Sequence, residues 1–194
     1  VNSWESLKIA LRNIDDPEND RRCGAEINSA FSIIKHELQD IRDLEKVIFL
    51  VSDTDDGEKT GKVLCNYFEQ KNIDSEYKII KGLQHSDEKK FKSEGLKSLV
   101  KTMVEAVEKL QKENYTVGIN ATGGYKAQIA FAVLIGQVMK VPVYYRFEAF
   151  PYVIKLPPMP INYDFEMWKR YYEILSKANE ETYLEEREVP FDKE

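Results

Sequence analysis

Residues 46–52 read Lys-Val-Ile-Phe-Leu-Val-Ser, in which five apolar residues follow one another without a polar side chain between them. A strand with one face in water alternates apolar and polar residues, whereas a strand covered by helices on both faces carries an unbroken apolar run. The stretch therefore predicts an inner strand of a parallel sheet. Helical patterns at 24–41 and 57–71, on either side of it in the sequence, agree with that placement.

Strand and helix patterns alternate through the following part of the chain. After the first strand they are, in order, a helix at 57–71, a strand at 76–80, a helix at 88–113, a strand at 115–120, a helix at 126–139 and a strand at 141–147. Repeated strand-helix units predict an α/β fold with a Rossmann-like, doubly wound and mostly parallel sheet. Residues 143–147 and 152–156 have no helix between them and are expected to pair as an edge hairpin.

The two ends of the sequence lead to separate expectations. Helical spacing of apolar residues begins at Trp4, and a doubly wound sheet usually has a strand before its first helix. The first strand of the sheet is therefore expected to be missing from the sequence. Residues 1–160 are predicted to form the Rossmann-like domain, and residues 161–194 a C-terminal helix, around 163–179, with an acidic tail.

Charge and hydropathy argue against several classes of protein. The 194 residues include 28 Lys and Arg against 34 Asp and Glu, a net charge of −6, with the two signs interspersed. A protein that binds a nucleic-acid polymer neutralises phosphates with a basic face, so no direct binding to such a polymer is expected. The apolar stretches are shorter than the ~20 residues of a membrane-spanning helix, and no signal-peptide pattern is present. We expect a cytoplasmic protein without a membrane partner.

The chain contains two cysteines, Cys23 and Cys65, and neither lies in a CxxC pair or near a histidine cluster. This arrangement favours reduced, packed thiols over a disulfide framework or a zinc site. The acidic loop at 52–57 does not have the spacing of an EF-hand. No metal and no cofactor are predicted.

The segment Asn-Ala-Thr-Gly-Gly-Tyr-Lys at 120–126 ends a predicted central strand and opens a helix. Ligands of doubly wound sheets bind at this carboxyl edge. The two glycines permit a tight turn and a close approach, and the helix start favours an anion. Asn120 and Thr122 supply hydrogen bonds and Lys126 a positive charge, which predicts a phosphate-binding turn. A plain strand-to-helix turn is the alternative; a Walker A loop is excluded because Ala127 follows the lysine.

Two further loops are expected at the same edge of the sheet. Ser52, Asp53 and Thr54 follow the first strand and place hydroxyls and a carboxylate there, with N-capping of the next helix as the alternative. Gln84 and His85 follow the second strand. His85 is a candidate ligand contact or acid–base group, and a solvated loop histidine is the alternative. No set of nucleophile and base can be assembled from the sequence.

Six short motifs occur in a fixed order along the chain. They are A-E-I-N-S at 25–29, S-D-T at 52–54, K-G-L at 81–83, F-x-x-E-G-L at 91–96, N-A-T-G-G-Y-K-A at 120–127 and V-Y-Y-R-F-E at 143–148. Together they resemble the CARF domain, the CRISPR-associated Rossmann-fold sensor of type III systems. The resemblance extends from about residue 25 to the proline-rich segment near residue 160.

The resemblance implies a homodimer with one joint pocket for a cyclic oligoadenylate second messenger, with cyclic tetra-adenylate as the expected ring. It implies that Thr122, Gly123, Gly124 and Lys126 hold phosphate and ribose, and that Ser52, Asp53 and Thr54 line the pocket. The full set of candidate ligand-binding residues is Asn120, Thr122, Gly123, Gly124, Tyr125, Lys126, Ser52, Asp53, Thr54, Gln84 and His85.

Two alternatives follow from the same resemblance. Some CARF domains are metal-independent ring nucleases, in which a ribose 2′-hydroxyl attacks the adjacent phosphorus, and Lys126 is then the candidate catalytic residue that stabilises the developing charge. In that family pattern a Ser or Thr in the loop after the opening strand of the sheet assists. That strand would come before the strand at 46–52 and is expected to be missing here, so catalysis is left open. The second alternative is a CARF-type regulator that acts through DNA or protein partners.

Overall fold

A computed structural model describes residues 3–83, 88–124, 126–147 and 149–156. Helices and strands alternate in it as the α/β prediction requires. In chain order they are α1 (Ser3–Arg12), α2 (Gly24–Ile33), β1 (Lys46–Ser52), α3 (Asp55–Glu69), β2 (Asp74–Ile80), α4 (Glu88–Lys90), α5 (Leu96–Lys112), β3 (Ile119–Asn120), α6 (Lys126–Met139), β4 (Val143–Tyr145) and β5 (Ile154–Leu156).

The strands form two sheets. β1 and β2 pair in parallel over seven residues, from Lys46 opposite Asp74 to Ser52 opposite Ile80. In the second sheet β3 pairs with β4 in parallel, and β4 pairs with β5 in antiparallel orientation. The Rossmann-like α/β class and the edge hairpin are therefore confirmed.

Helices cover both faces of the strands. Val47 and Phe49 of β1 pack on the α1–α3 side, where the buried residues are Leu11, Cys23, Ile27, Ala30, Val63, Leu64, Tyr67, Phe68 and Ile73. Leu50 packs on the opposite side, against a core made chiefly by α5, α6 and the strands β2 to β4. Successive side chains of a strand point to opposite faces, so one strand contributes to both cores. The helices on the two faces give the doubly wound arrangement predicted from the sequence.

Four predicted segments are longer than the elements that form, one of them the strand predicted over 152–156, of which β5 covers Ile154–Leu156. β3 covers Ile119–Asn120 where a strand was predicted over 115–120, and β4 covers Val143–Tyr145 where one was predicted over 141–147. β3 has a strand partner only on its β4 side among the described residues, and Pro142 lacks the N–H that would extend the pairing. The helix predicted over 24–41 is an α-helix only to Ile33, after which a π-helical turn runs to Leu38.

Two further expectations concern the C-terminal residues and membrane-spanning helices. The helix predicted around 163–179 and the rest of 161–194 lie outside the described residues. Within the described part of the chain, no helix has the length and apolar character needed to span a membrane.

Candidate functional site

Side-chain hydrogen bonds of Asn120 hold the turn after β3. Asn120 accepts a hydrogen bond from the Thr122 amide through Oδ1, at 3.2 Å, and donates one from Nδ2 to Ser29 Oγ of α2, at 2.7 Å. Gly124 has a φ of +92°, a left-handed conformation that favours glycine. The chain then enters α6 at Lys126. The predicted strand-turn-helix arrangement at 120–126 is thus present.

A carboxylate that was not predicted as a site residue lies over this turn. A Cβ atom added to Gly123 would be 2.6 Å from Oε1 of Glu26, a residue in the first turn of α2. A Cβ on Gly124 would collide with the side-chain oxygen of Gln128. Side chains therefore lie close to the backbone at both glycines, and the one at Gly123 is a carboxylate. Glu26 and Ser29, three residues apart on α2, both face the turn, and this helical spacing was the available signal.

Arg146 joins the end of β4 to the segment before α2. Its guanidinium donates to the backbone oxygens of Glu18 at 2.6 Å, Asn28 at 3.3 Å and Pro151 at 3.1 Å, and to Oδ1 of Asn19 at 3.1 Å. Its backbone N–H donates to Thr122 Oγ1 at 3.0 Å. Arg146 thereby fixes the position of Thr122, a predicted ligand contact.

The loop after β1 is held together by its own side chains. Thr54 caps α3, since its Oγ1 accepts from the Gly57 N–H at 3.0 Å, and Ser52 Oγ lies 2.8 Å from that same Oγ1. The N-capping interpretation is therefore confirmed for Thr54. Asp53 accepts a hydrogen bond from the Gly82 amide at 2.9 Å, which links this loop to the end of β2.

Most of the predicted ligand-binding residues lie within the described ranges, and three do not. Asn120, Thr122, Gly123 and Gly124 lie at the end of β3, and the loop 52–54 lies at the end of β1. No hydrogen bond between these two loops occurs in the described ranges. Lys126 is the first residue of α6. Tyr125, Gln84 and His85 lie outside the described residues.

A buried charged group supports the region beside the turn. Glu18 is 5% exposed and accepts hydrogen bonds from Lys35 at 2.8 Å and His36 at 3.1 Å. Burial alone would raise the pKa of Glu18, but the hydrogen bonds from Lys35, Ser32 and His36 outweigh it and hold the pKa below its ordinary value. Because the backbone of the same residue binds Arg146, this ion pair helps to position the turn.

Both cysteines are free and buried, as the sequence predicts. Burial raises the pKa of the Cys23 thiol and that of Cys65, the latter to about 11, which disfavours the nucleophilic thiolate form of both near neutral pH. In the residues that the structure covers, no three His, Cys, Asp or Glu side chains are placed to hold a metal ion.

Most of the chain matches the model of a known protein family. Residues 21–159 match a family described as "CRISPR-associated protein (Cas_APE2256)". The matched region is more than half of the chain, and it contains the turn at 120–126, the loop at 52–54 and Arg146.

Proposed function

The chain belongs to the Cas_APE2256 family of CRISPR-associated proteins, and we propose that it is a CARF-type sensor that binds a cyclic oligoadenylate. The observation that carries the proposal is the Gly123-Gly124 turn between β3 and the 14-residue helix α6. Free amides at a helix start, together with the helix dipole, stabilise a phosphate. Lys126 is the first residue of α6, and in the proposal its ammonium group pairs with the phosphate. Cyclic tetra-adenylate is the expected ring.

The hydrogen bonds around the turn support binding because they fix it in advance. Asn120 is bound to Ser29 and Thr122 to the Arg146 amide, so the two glycines are held in place before a ligand arrives. A site fixed in advance loses little conformational entropy when it binds. The glycines themselves bring no side chain to the turn, but the side chains of Glu26 and Gln128 lie against it, so both must turn aside when a phosphate approaches the backbone.

The ligand's symmetry favours a homodimer, because two copies related by a two-fold axis offer a ring the same contacts twice. The helix that begins at the turn also carries exposed apolar side chains. Leu134 is 52% exposed and Val138 is 71% exposed, four residues apart and so on one face of α6. We propose this face as the contact between the two subunits, which would bring two glycine turns into one pocket.

Calorimetric titration with cyclic tetra-adenylate tests the proposal. Binding by the 194-residue chain is expected, with at least ~10-fold weaker binding after Lys126→Ala, since an ion pair with phosphate is lost. Lys101→Ala removes an exposed lysine of α5 whose Nζ lies 3.9 Å from Glu105, and serves as the matched control. Absence of binding heat, or equal affinities for K126A and K101A, would contradict the proposal.

The Glu26 carboxylate beside Gly123 favours a second candidate function, metal-independent cleavage of the ring. A ribose 2′-hydroxyl would attack the adjacent phosphorus and the bond from phosphorus to the 5′-oxygen would break. The products would be a 2′,3′-cyclic phosphate and a 5′-hydroxyl, whose proton replaces the one that the 2′-hydroxyl gave up. A carboxylate can take up the hydroxyl proton and Lys126 can stabilise the developing charge. Labelled cyclic tetra-adenylate incubated with the protein in EDTA should then give linear products, and E26Q should give fewer. Intact ligand after long incubation would exclude this activity.

A further inference from the structure

Two phenylalanines lie exposed just beyond the end of β4. The side chain of Phe147 is 47% exposed and that of Phe150 is 44% exposed. Their ring centroids are 5.4 Å apart and their ring planes are at 73°, an edge-to-face contact. We call these two residues the aromatic pair. Together they form an apolar patch that no other part of the described chain covers.

Arg146 connects the aromatic pair to the glycine turn after β3. Its backbone N–H donates to Thr122 Oγ1 at 3.0 Å, in the turn itself. Phe147 is the next residue, so its Cα lies only ~3.8 Å from that of Arg146. The aromatic pair is therefore at the same carboxyl edge of the sheet as the turn.

The aromatic pair is held in a fixed position by its own segment. The Phe150 N–H donates to the Phe147 carbonyl at 2.9 Å, which closes a tight turn between the two rings. The Pro151 carbonyl accepts from the Arg146 guanidinium at 3.1 Å. The same arginine thus holds the chain on both sides of the pair. Rings that are fixed in advance lose little conformational entropy when they bind.

The chemistry of the two neighbouring features matches the two ends of a nucleotide. The glycine turn offers backbone amides for a phosphate. The aromatic pair offers an apolar, aromatic surface, and every nucleobase has a flat face that stacks on such a surface. Ligand pockets combine apolar and aromatic walls with a few polar groups that fix orientation. The aromatic pair supplies the aromatic wall that the polar turn lacks.

The third exposed ring of this region has a different partner. Tyr152 is 50% exposed, but its ring packs on that of His36, with 5.2 Å between the centroids. His36 lies in the π-helical turn that follows α2 and bonds to Glu18. Tyr152 therefore belongs to the contacts with α2, and it provides an exposed aromatic control in the same part of the chain.

We propose that the aromatic pair stacks on a base of the cyclic oligoadenylate whose phosphate lies on the glycine turn. The inference rests on the proposed function and adds to it a base contact that phosphate binding alone does not provide. Stacking on an aromatic ring tolerates any base. The aromatic pair thus contributes affinity for a nucleotide ring and does not select adenine over other bases.

Fluorescence titration tests the stacking, with a cyclic tetra-adenylate analogue in which 2-aminopurine replaces the adenines. The fluorescence of 2-aminopurine falls when the base stacks on an aromatic ring. The double variant F147L/F150L keeps apolar side chains but removes both rings. It should bind at least about 10-fold more weakly than the wild type, and its saturated complex should be brighter. Tyr152→Leu should retain the affinity and the quenching of the wild type.

Lys126→Ala separates the base contact from the phosphate contact. Its complex should form more weakly but should be as strongly quenched at saturation as that of the wild type. The affinity ratio between wild type and F147L/F150L should persist at high salt, because stacking involves no ion pair. The ratio between wild type and K126A should shrink, because salt screens the attraction between the ammonium group and the phosphate.

Three results would overturn the inference. Binding by the wild type with equal fluorescence in the wild-type and F147L/F150L complexes would remove the stacking contact and leave the proposed function in place. A monomeric F147L/F150L protein beside a dimeric wild type, in sedimentation without ligand, would assign the rings to the contact between subunits. Absence of ring binding by the wild type would overturn the proposed function and this inference with it.

Discussion

The two sheets are held in place in different ways. β1 and β2 pair over seven residues, and the loops at their ends are tied by local hydrogen bonds such as those of Thr54. β3 and β4 pair over two residues, and their positions depend on contacts with α2 and the segment before it. In the α2 contacts Ser29 binds Asn120, Ser32 binds the amide of Val153, and the Asn28 carbonyl binds Arg146. The proposed phosphate-binding turn therefore lies in the half of the molecule that is fixed by distant side chains.

The largest expected effect of a substitution is at Arg146. Arg146→Ala leaves the carbonyls of Glu18 and Asn28 without this donor and should lower the free energy of unfolding by about 3 kcal/mol, as for loss of charged hydrogen bonds. Arg146→Lys should recover only part of the lost free energy, because an ammonium group cannot reproduce the planar arrangement of the guanidinium donors. Urea unfolding measures both.

Lys46→Ala is the control in the first sheet. It removes a 2.8 Å ion pair with Asp74, whose side chain is 64% exposed, and should cost less than about 1 kcal/mol. Equal decreases in the free energy of unfolding for R146A and K46A would show that the second sheet does not depend on distant side chains more than the first.

Two glycine substitutions compare the two turns directly. A Cβ on Gly57 would be 2.5 Å from the backbone oxygen of Ser52, which cannot move without disturbing β1, so Gly57→Ala should destabilise the fold by about 2 kcal/mol. A Cβ on Gly123 meets the end of the flexible Glu26 side chain, so Gly123→Ala should cost less than about 1 kcal/mol.

The same two variants should differ in the opposite sense in ligand affinity, with Gly123→Ala impaired more than Gly57→Ala. Gly123→Ala places a methyl group where the proposed phosphate approaches the backbone, and it should abolish binding of cyclic tetra-adenylate while the protein stays folded. A Gly123→Ala protein that binds the ring like the wild type would contradict the placement of the site.

Sequence patterns predicted the features that depend on neighbouring residues. The apolar run gave β1 its observed bounds, Lys46–Ser52, and the glycine turn predicted the start of α6 at Lys126. The roles of Arg146 and Glu26 depend on residues far away in the chain; Arg146 and its partner Glu18 are 128 positions apart. The lengths of β3 and β4 depend on which strands lie beside them, which no local pattern specifies.

Acid should weaken the support of the second sheet through Glu18. Its pKa in the folded protein lies below the ordinary value of 4.5, so its stabilising contribution is present above that value and is lost as pH falls through the folded pKa. The urea midpoint of the wild type should therefore decrease below about pH 4.5. Glu18→Gln should show a smaller decrease over the same range. Parallel pH profiles for the two proteins would show that Glu18 does not provide this support.

The smallest expected effect tests the negative charge at the turn. Glu26→Gln removes a carboxylate next to Gly123, and affinity for cyclic tetra-adenylate should increase by about 3- to 10-fold, which corresponds to the ~1 kcal/mol of two unit charges about 4 Å apart at the dielectric of water. The increase should shrink at high salt. Glu105→Gln on α5, whose side chain is 58% exposed, should leave the affinity unchanged. A decrease for E26Q would mean instead that Glu26 binds the ligand directly, as an acceptor for a ribose hydroxyl or an adenine amino group, and that α2 forms part of the binding surface as well as its support.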